Sequence, residues 1–418
     1  MLADIPNIRH MRVFLETVKT GSVSLAAERC SLSQPAATQA ISRLETDVQT
    51  SLLIRNTRRF TTTPCGALFV QRVEAALEQL HRGARASLRG PKEGGIKRRP
   101  YDRQVTSAQL RALIAVANAG SFTIAASALG RSQPTVHRAA RSLEEVAGVP
   151  FFQTTASGVE LTAAAQAFAM GAKLAQAEIR QGFEEISKEL GNDRGTFTLG
   201  SLPLARTTIV PRAVHALIDK TQGVQVRVVD GRYPELLRSL REGDLDCLIG
   251  ALRHPAPAPD VTQEPLFDDA LAIVVNPSHP LAGRTGLTLD DTLKYPWVAP
   301  PRSTPAGTYL YETLRIDQQP RTPVRVVASS LVLLRGLLAQ GCYISIISRH
   351  QIGVEEAHGH LIALDIPLAR SKRSIGLTYR TDWRPTQTQT LMLGHLRTYG
   401  MQAGNGEKSS MAPNSFFQ

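Results

Sequence analysis

The sequence predicts a multidomain protein in which two small all-α domains precede a larger α/β domain. Two observations lead to this fold class. A short pattern that ends one helix and starts the next occurs twice in the N-terminal part, 99 positions apart. From Gly195 onward, short apolar runs alternate with amphipathic stretches of helical period, which is typical of β-α-β units with parallel strands.

The repeat extends over 56 consecutive positions. Residues 21–27 read Gly-Ser-Val-Ser-Leu-Ala-Ala and lead to Ser-Gln-Pro at 33–35, and residues 120–126 read Gly-Ser-Phe-Thr-Ile-Ala-Ala and lead to Ser-Gln-Pro at 132–134. Placing residues 11–66 on 110–165 without a gap gives 12 identities. A fixed period over this length indicates a duplicated module, whose two occurrences we call copy one and copy two.

Each copy predicts a helix, a sharp turn and a second helix with a polar outer face. In copy one, Gly21 breaks the first helix, Ser22 can cap the next, and Pro35 falls in a first helical turn, where its missing N–H costs nothing. Ile41 and Leu44 are left for the core. Hydroxyl, amide and guanidinium groups at a helix N-terminus suit phosphates and base edges in a DNA major groove. The candidate DNA-binding residues are Ser33, Gln34, Pro35, Ala36, Thr38, Gln39, Ser42 and Arg43 in copy one, and Ser132, Gln133, Pro134, Thr135, His137, Arg138 and Arg141 in copy two.

A surface helix pair that buries one stripe and solvates the other would show a similar period. The recurrence of Gly-Ser, Ala-Ala and Ser-Gln-Pro at matched offsets favours a helix-turn-helix instead.

These residues resemble the N-terminal winged helix-turn-helix domain of LysR-type transcriptional regulators. In that family a Gly-Ser-Phe-Thr-x-Ala-Ala helix precedes a Val-Ser-Gln-Pro-Ala recognition helix, which is followed by Leu-Gly-Val-Pro-Leu-Phe and a wing. Copy two keeps Gly-Val-Pro-Phe-Phe at 148–152, whereas copy one has Gln-Thr-Ser-Leu-Leu at 49–53. Copy one keeps a basic wing, so the resemblance adds Arg55, Arg58 and Arg59 to the DNA-binding candidates. The wing of copy two has no basic residue. Family members ordinarily carry one such domain, so the tandem arrangement departs from the pattern.

Charge and composition indicate the kind of partner. The 418 residues carry a net charge of +12, of which +8 falls in residues 1–103, while residues 104–190 are neutral. This excess favours an anionic partner, and we expect double-stranded DNA. Four scattered cysteines predict neither a metal site nor a disulfide framework, and we expect no cofactor. No apolar run approaches the length of a membrane span, so we expect a cytoplasmic protein with no membrane partner.

The order of strands and helices after Gly195 resembles the effector domain of the same family, which is built like a type 2 periplasmic binding protein. Such a domain has two α/β lobes with a ligand cleft between them, and we expect lobe one at 196–264 plus 369–399 and lobe two at 268–364. The expected domains are winged helix-turn-helix domains at 7–66 and 105–165, a helix and basic flexible linker at 67–104, a linker and dimerisation helix at 166–192, the effector domain at 195–399 and a disordered tail at 400–418.

Candidate ligand-binding residues lie where the predicted strands end. In open α/β sheets, ligands bind at the carboxyl ends of strands, close to helix N-termini. Arg206 and Arg302 would suit a carboxylate through bidentate pairing. For each candidate, ordinary helix capping or a surface role is the alternative explanation. The candidates are Ser201, Arg206, Arg302, Ser303, Thr304 and Ser329.

The sequence thus predicts a ligand-responsive, DNA-binding transcriptional regulator of the LysR type that senses a small molecule, an organic acid or a sugar, in its C-terminal cleft. We expect no enzymatic activity, because Gly-x-Ser-x-Gly, His-Glu-x-x-His and a phosphate-binding glycine-rich loop are all missing from the sequence. The alternative is a solute-binding or enzymatic α/β protein whose helical repeats only mediate assembly.

Two long predicted helices, at 67–88 and 163–190, have apolar faces that need a partner. We expect these faces to form at least a homodimer, and a tetramer by family resemblance; packing within one chain is the alternative. We also expect both copies to contact DNA unequally, since the basic wing belongs to copy one. In the competing interpretation, the neutral copy two is a dimerisation or spacer domain.

Overall fold

The computed structural model describes residues 5–56, 59–89, 100–156, 158–319 and 323–404. They form two compact units. The N-terminal unit contains the described residues up to Thr196 together with 221–225 and 241–244, and the C-terminal unit contains the others. Arg58 in the predicted wing, most of the predicted basic linker and the predicted tail after residue 404 lie outside the described residues.

The N-terminal unit contains one order of elements twice. In copy one the elements are α1 (Ile8–Thr20), α2 (Val23–Arg29), α3 (Gln34–Val48), β1 (Leu53–Arg55), β2 (Phe60–Thr62) and α4 (Pro64–Ser87). In copy two they are α5 (Ser107–Ala119), α6 (Phe122–Leu129), α7 (Gln133–Ala147), β3 (Phe152–Thr155), β4 (Gly158–Leu161) and α8 (Ala163–Glu189). Each copy includes a short antiparallel hairpin, so the predicted all-α class omits the β-strands of the wings.

The helix boundaries follow from residues noted in the sequence. Gly21 and Gly120 end α1 and α5 with φ angles of 68° and 60°, a left-handed conformation that glycine adopts without a side-chain clash. Ser22 and Ser121 then cap α2 and α6, each accepting a hydrogen bond from the backbone N–H three residues on, at 3.4 and 3.5 Å. The Gly-Ser pair therefore makes the sharp turn in both copies.

The long helices α4 and α8 pack antiparallel against each other inside one chain. The rings of Phe69 and Phe183 lie 5.8 Å apart between centroids, and the backbone of Gly83 lies against that of Gly171. One continuous hydrophobic core takes buried side chains from both copies. The apolar faces expected to form a homodimer therefore cover each other, and the alternative, packing within one chain, describes the structure.

The C-terminal unit contains two five-stranded sheets. In chain order its elements are β5 (Thr196–Ser201), α9 (Ile209–Ile218), β6 (Gln225–Val229), α10 (Tyr233–Arg241), β7 (Cys247–Ala251), β8 (Val261–Asp269), β9 (Leu271–Val275), α11 (Leu289–Thr292), β10 (Trp297–Ala299), α12 (Pro305–Thr308), β11 (Val324–Val327), α13 (Leu331–Leu338), β12 (Ile344–Ser348), α14 (Gly353–Ala357), β13 (Ile362–Ala363), β14 (Arg373–Arg380) and α15 (Gln387–Gly404). Lobe one has the strand order β6-β5-β7-β14-β8, and lobe two has the order β11-β10-β12-β9-β13.

The pairing is parallel where helices connect the strands, as between β5 and β7 and between β10 and its neighbours β11 and β12. The long strand β8 pairs antiparallel with β14 at the edge of lobe one. Its Pro265 and polar residues interrupt the apolar alternation by which a strand is recognised in a sequence. An edge strand tolerates proline because one side of its backbone needs no partner. α15 continues to Gly404, beyond the predicted start of the tail. Within the described residues, no helix is both long and apolar enough to span a bilayer.

Candidate nucleic-acid interface and ligand cleft

The second helix of copy one, α3, presents a polar face. Ser33 caps its N-terminus, where Oγ accepts a hydrogen bond from the Ala36 N–H at 3.4 Å. Buried Ala37, Ala40, Ile41 and Leu44 anchor the opposite face. The exposed residues are Ser33, Gln34, Pro35, Thr38, Gln39, Ser42 and Arg43, and Ala36 is half-buried. The predicted DNA-binding residues of this helix therefore share one accessible face.

The corresponding helix of copy two, α7, exposes different side chains. All seven predicted residues of this helix are exposed: Ser132, Gln133, Pro134, Thr135, His137, Arg138 and Arg141. The Gln133 side-chain oxygen accepts a hydrogen bond from the Thr123 hydroxyl at 3.3 Å, and the His137 ring lies edge-on to Phe122 at 5.0 Å. The guanidinium of Arg141 pairs with Glu144 at 2.6 Å. α7 is thus partly oriented by contacts that α3 does not share.

A glutamate at the same position of each copy holds the start of the wing. Glu45 Oε1 accepts hydrogen bonds from the backbone N–H groups of Leu52 and Leu53 at 2.8 and 3.2 Å. Glu144 does the same for the residues 99 positions later, at 2.7 and 3.0 Å. Burial alone would raise the pKa of Glu144, but these donors and Arg141 lower it. The carboxylates therefore fix each wing relative to the second helix of its helix-turn-helix, α3 or α7.

The wings also contact the end of the first helix in each copy. The Phe60 N–H donates to the Gly21 carbonyl at 2.9 Å, and the Val159 N–H donates to the Gly120 carbonyl at the same distance. Arg55 and Arg59 of the first wing are exposed. Copy two has Thr154 and Gly158 at these positions, so the described part of its wing offers no arginine to a phosphate.

A cavity of about 920 Å³ lies between the two lobes of the C-terminal unit. Its apolar lining includes Ala251, Leu334, Ile346, Ile347 and Ile375, and its polar lining includes Ser303, Thr304, Ser329, Ser330 and Gln351. Thr304 and Ser330 cap α12 and α13, accepting hydrogen bonds from backbone N–H groups at 3.1 and 3.3 Å. An apolar pocket with a few polar groups at helix N-termini suits a small organic ligand.

Positive charge predominates in the lining of this cavity. Arg206, Arg232, Arg253 and Arg373 line it together with one carboxylate, that of Glu235. The Arg253 guanidinium lies over the ring of Tyr233, 4.6 Å from its centroid. Arg206 pairs with Asp230 at 2.6 Å on the exposed side.

Buried Asp269 organises the strands that link the lobes. It accepts hydrogen bonds from Arg373 at 3.1 and 3.2 Å and from the Ser348 hydroxyl at 2.7 Å. His350 Nε2 lies 2.8 Å from the Thr208 hydroxyl of lobe one. Of these residues Arg373 lines the cavity, and its partner Asp269 lies where β8 passes into β9.

Comparisons with known proteins identify the family. Residues 190–400 match the LysR substrate binding domain, and residues 8–67 and 107–166 both match the bacterial regulatory helix-turn-helix protein of the lysR family. The chain belongs to the LysR family of transcriptional regulators. It is a ligand-responsive regulator of that type and is similar over most of its length to named members.

This LysR-type regulator is 31% identical over 380 residues to the transcriptional regulator GalR of Pseudomonas putida, which covers 90% of this chain and 93% of GalR. It is 29% identical over 297 residues to the transcriptional regulator PcaQ of Agrobacterium fabrum, covering 71% and 95% of the two chains. A structure of full-length OxyR from Pseudomonas aeruginosa has a TM-score of 0.49 at 20% identity, covering 69% of this chain and 97% of that chain. Because the alignment with GalR covers 90% of this chain, it extends beyond the second helix-turn-helix segment and the effector domain into the N-terminal part.

In this regulator the structure separates the predicted ligand residues into two groups. Arg206, Ser303, Thr304 and Ser329 line the cavity. Ser201 does not, because its side chain is fully buried and donates to the Leu202 carbonyl at 3.4 Å. Arg302 does not either: its exposed guanidinium pairs with Asp317 and lies 3.9 Å from the ring centroid of Tyr311.

Sequence reasoning missed Tyr233, Arg253, Gln351 and Arg373 in the cavity lining. Arg253 follows the carboxyl end of β7, so the rule that pointed to Ser201 could also have found it. Arg373 begins a strand that runs antiparallel to β7, and no local signal marks it.

Proposed function

We propose that both reading helices, α3 and α7, contact a DNA major groove and that the wing of copy one adds phosphate contacts. The observation that carries this proposal is the exposed polar face at the N-terminal end of each helix, held relative to its wing by Glu45 or Glu144. Phosphate contacts give affinity, and base contacts by exposed side chains give sequence preference. The exposed Arg55 and Arg59 make copy one the stronger source of affinity.

A gel-shift titration with DNA from upstream of the protein's own gene tests this role. Binding is expected to weaken as salt rises from about 50 to 200 mM, because phosphate contacts release counterions. Replacing Arg55 and Arg59 with Ala should reduce the slope of log affinity against log salt by about two units, at roughly 0.9 per contact. Arg302→Ala, in the C-terminal unit, is the control. A protein without salt-sensitive binding at low ionic strength would not fit this function.

For the effector, we propose a small organic anion bound in the cavity between the lobes. The lining holds four arginines and one glutamate, and even with Arg206 paired to Asp230 and Arg373 to Asp269 this basic lining favours a carboxylate over a neutral sugar. The apolar lining residues favour a hydrocarbon body. The chain would act on DNA in the cytoplasm as a regulator and catalyse no reaction.

A thermal-shift screen of organic acids and sugars tests this ligand class. An acid that binds is expected to raise the unfolding temperature, and Arg253→Leu should weaken that acid roughly 10-fold or more if a charge-assisted hydrogen bond is lost. Arg302→Leu is the matched control, since Arg302 lies outside the cavity lining. Stabilisation by sugars alone would contradict the proposal.

For assembly, we propose that a second copy of the chain binds exposed apolar side chains on lobe two. Val327 on edge strand β11 and Val332 and Leu333 on α13 are 58%, 79% and 49% exposed. Apolar residues clustered at a sheet edge and its adjacent helix are typical of an interface. LysR regulators form oligomers, and the paired faces of α4 and α8 leave this surface as the better contact.

A further inference from the structure

Two contacts between α4 and α8 are related to each other by the exchange of copy one and copy two. The Cβ atom of Arg72 lies 3.1 Å from the position that a Cβ atom on Gly182 would take. The Cα atom of Gly83 lies 2.9 Å from the position of a Cβ atom on Gly171. Positions 72 and 83 of α4 correspond to positions 171 and 182 of α8, which lie 99 residues later. Exchanging the two copies therefore turns the contact between 72 and 182 into the contact between 171 and 83. Such reciprocity is the mark of an isologous, twofold interface.

The remainder of each copy is attached to its long helix in the same way. The Thr63 hydroxyl before α4 donates to the Ser51 carbonyl at 2.8 Å, and the Thr162 hydroxyl before α8 donates to the Pro150 carbonyl at 2.8 Å. The glutamate and wing contacts described above also recur. The approximate twofold relation of α4 and α8 therefore extends to the reading helices α3 and α7.

The side chains make this pairing specific for α4 with α8. Arg72 is 5% exposed, and its guanidinium contacts Glu178 at 2.9 Å, Gln181 at 2.8 Å and Glu185 at 2.6 Å. Burial alone would lower the pKa of Arg72, but hydrogen bonds and charge from Glu185 and Glu178 raise it. A buried ion pair is tolerated only when both charges find their partners.

Pairing of identical helices would leave these charges unmatched. In a pair of two α4 helices, the positions facing Arg72 would be Gln79, Arg82 and Ala86, which include no acid. In a pair of two α8 helices, Gly171 would take the place of Arg72, and Glu178 and Glu185 would face no basic residue there. The unpaired charges disfavour both homotypic arrangements.

We infer that one chain presents both reading helices to a single DNA site, and that this site has two half-sites of different sequence. The inference rests on the proposed DNA contacts of both copies. The exchanged positions carry Thr38 and Gln39 in copy one but His137 and Arg138 in copy two. Since base edges are read by such side chains, a palindromic site would suit only one helix, and an unequal site fixes the orientation of the chain on DNA.

A mixing experiment with full-length chains tests whether the two helices act within one chain. One variant carries Thr38→Ala and Gln39→Ala, the other carries His137→Ala and Arg138→Ala, and the probe is a duplex that the wild type selects from random-sequence DNA. Each variant is expected to bind this duplex roughly 10-fold more weakly. The co-expressed variants should bind no better than the stronger of them, because every α4–α8 pair still contains one altered helix.

Recovery of wild-type affinity in the mixture would show that helices of different chains pair, and would overturn the inference. Selection of a perfectly palindromic site would also overturn it. A wild type that selects no sequence would instead refute the proposed DNA contacts, so the two failures are distinguishable.

A disulfide provides a second test that does not depend on DNA. Arg72→Cys with Gly182→Cys places two Cβ atoms 3.1 Å apart, so a shift of a few tenths of an ångström brings them to the roughly 3.5–4.5 Å that a disulfide needs. Glu178→Gln and Glu185→Gln remove the charges left unpaired, and Cys342→Ser removes an exposed native thiol. The oxidised protein should run as a single crosslinked chain on a denaturing gel. A covalent two-chain product, or no crosslink, would contradict pairing within the chain.

Discussion

At the scale of single residues, copy one has the backbone conformation of copy two at a helix end, but its side chain there fits that conformation less well. Gln49 ends α3 at φ 60°, where copy two has Gly148 at φ 66°. A left-handed conformation costs a non-glycine residue about 1 kcal/mol or more. Gln49→Gly is therefore expected to raise the free energy of unfolding by about 1 kcal/mol, measured by urea denaturation with circular dichroism. The reverse change Gly148→Gln is the matched control and should destabilise; equal stability of both variants and the wild type would contradict the argument.

His279 makes stability depend on pH. The side chain is buried in lobe two, its Nδ1 accepts the Leu281 N–H at 3.1 Å, and burial lowers its pKa. An unfolded histidine binds a proton near pH 6.5, whereas this one resists protonation when folded. Its contribution is thus present above about pH 6.5 and is lost as the pH falls. Thermal unfolding at pH 7.5 and 5.5, followed by the fluorescence of Trp297 and Trp383, should show a smaller acid-induced loss of stability in His279→Gln than in the wild type. Identical losses would be inconsistent with this role.

At the scale of secondary-structure elements, the α4–α8 pair contains the most buried charge cluster of the N-terminal unit that the structure describes. Arg72→Met leaves Glu178 and Glu185 without their cation and should cost about 3–5 kcal/mol. Adding Glu178→Gln and Glu185→Gln should recover most of that loss. Arg82→Met, which breaks an exposed pair with Glu78, is the control and should cost less than about 1 kcal/mol. Urea denaturation measures all three; a triple variant as unstable as Arg72→Met would refute the explanation by unpaired charge.

At the scale of the whole molecule, the proposed assembly surface on lobe two is separate from the paired helices α4 and α8. Because α4 and α8 cover each other, a change on lobe two should alter the oligomeric state without disturbing the DNA-binding unit. Val332→Glu places a charge in the proposed interface and is expected to lower the mass measured by light scattering at micromolar concentration. Leu391→Glu, at another exposed apolar site on α15, is the control. An unchanged mass for Val332→Glu, with a wild type larger than one chain, would exclude this surface.

The local features of this protein can be predicted from its amino-acid sequence. Caps, left-handed glycines and the 99-residue period place both reading helices, because hydrogen bonds between residues a few positions apart decide where such helices begin and end. Strands that alternate with helices likewise indicate the two lobes and the strand ends where Arg206, Ser303, Thr304 and Ser329 meet. The pairing of α8 with α4 is known only from the packing of the folded chain, since an apolar stripe shows that a helix must be buried but not which element covers it. The fold also determines that Ser201 is buried, that Arg302 pairs with Asp317 and that Arg253 and Arg373 enter the cleft, because these outcomes depend on packing between segments far apart in the chain.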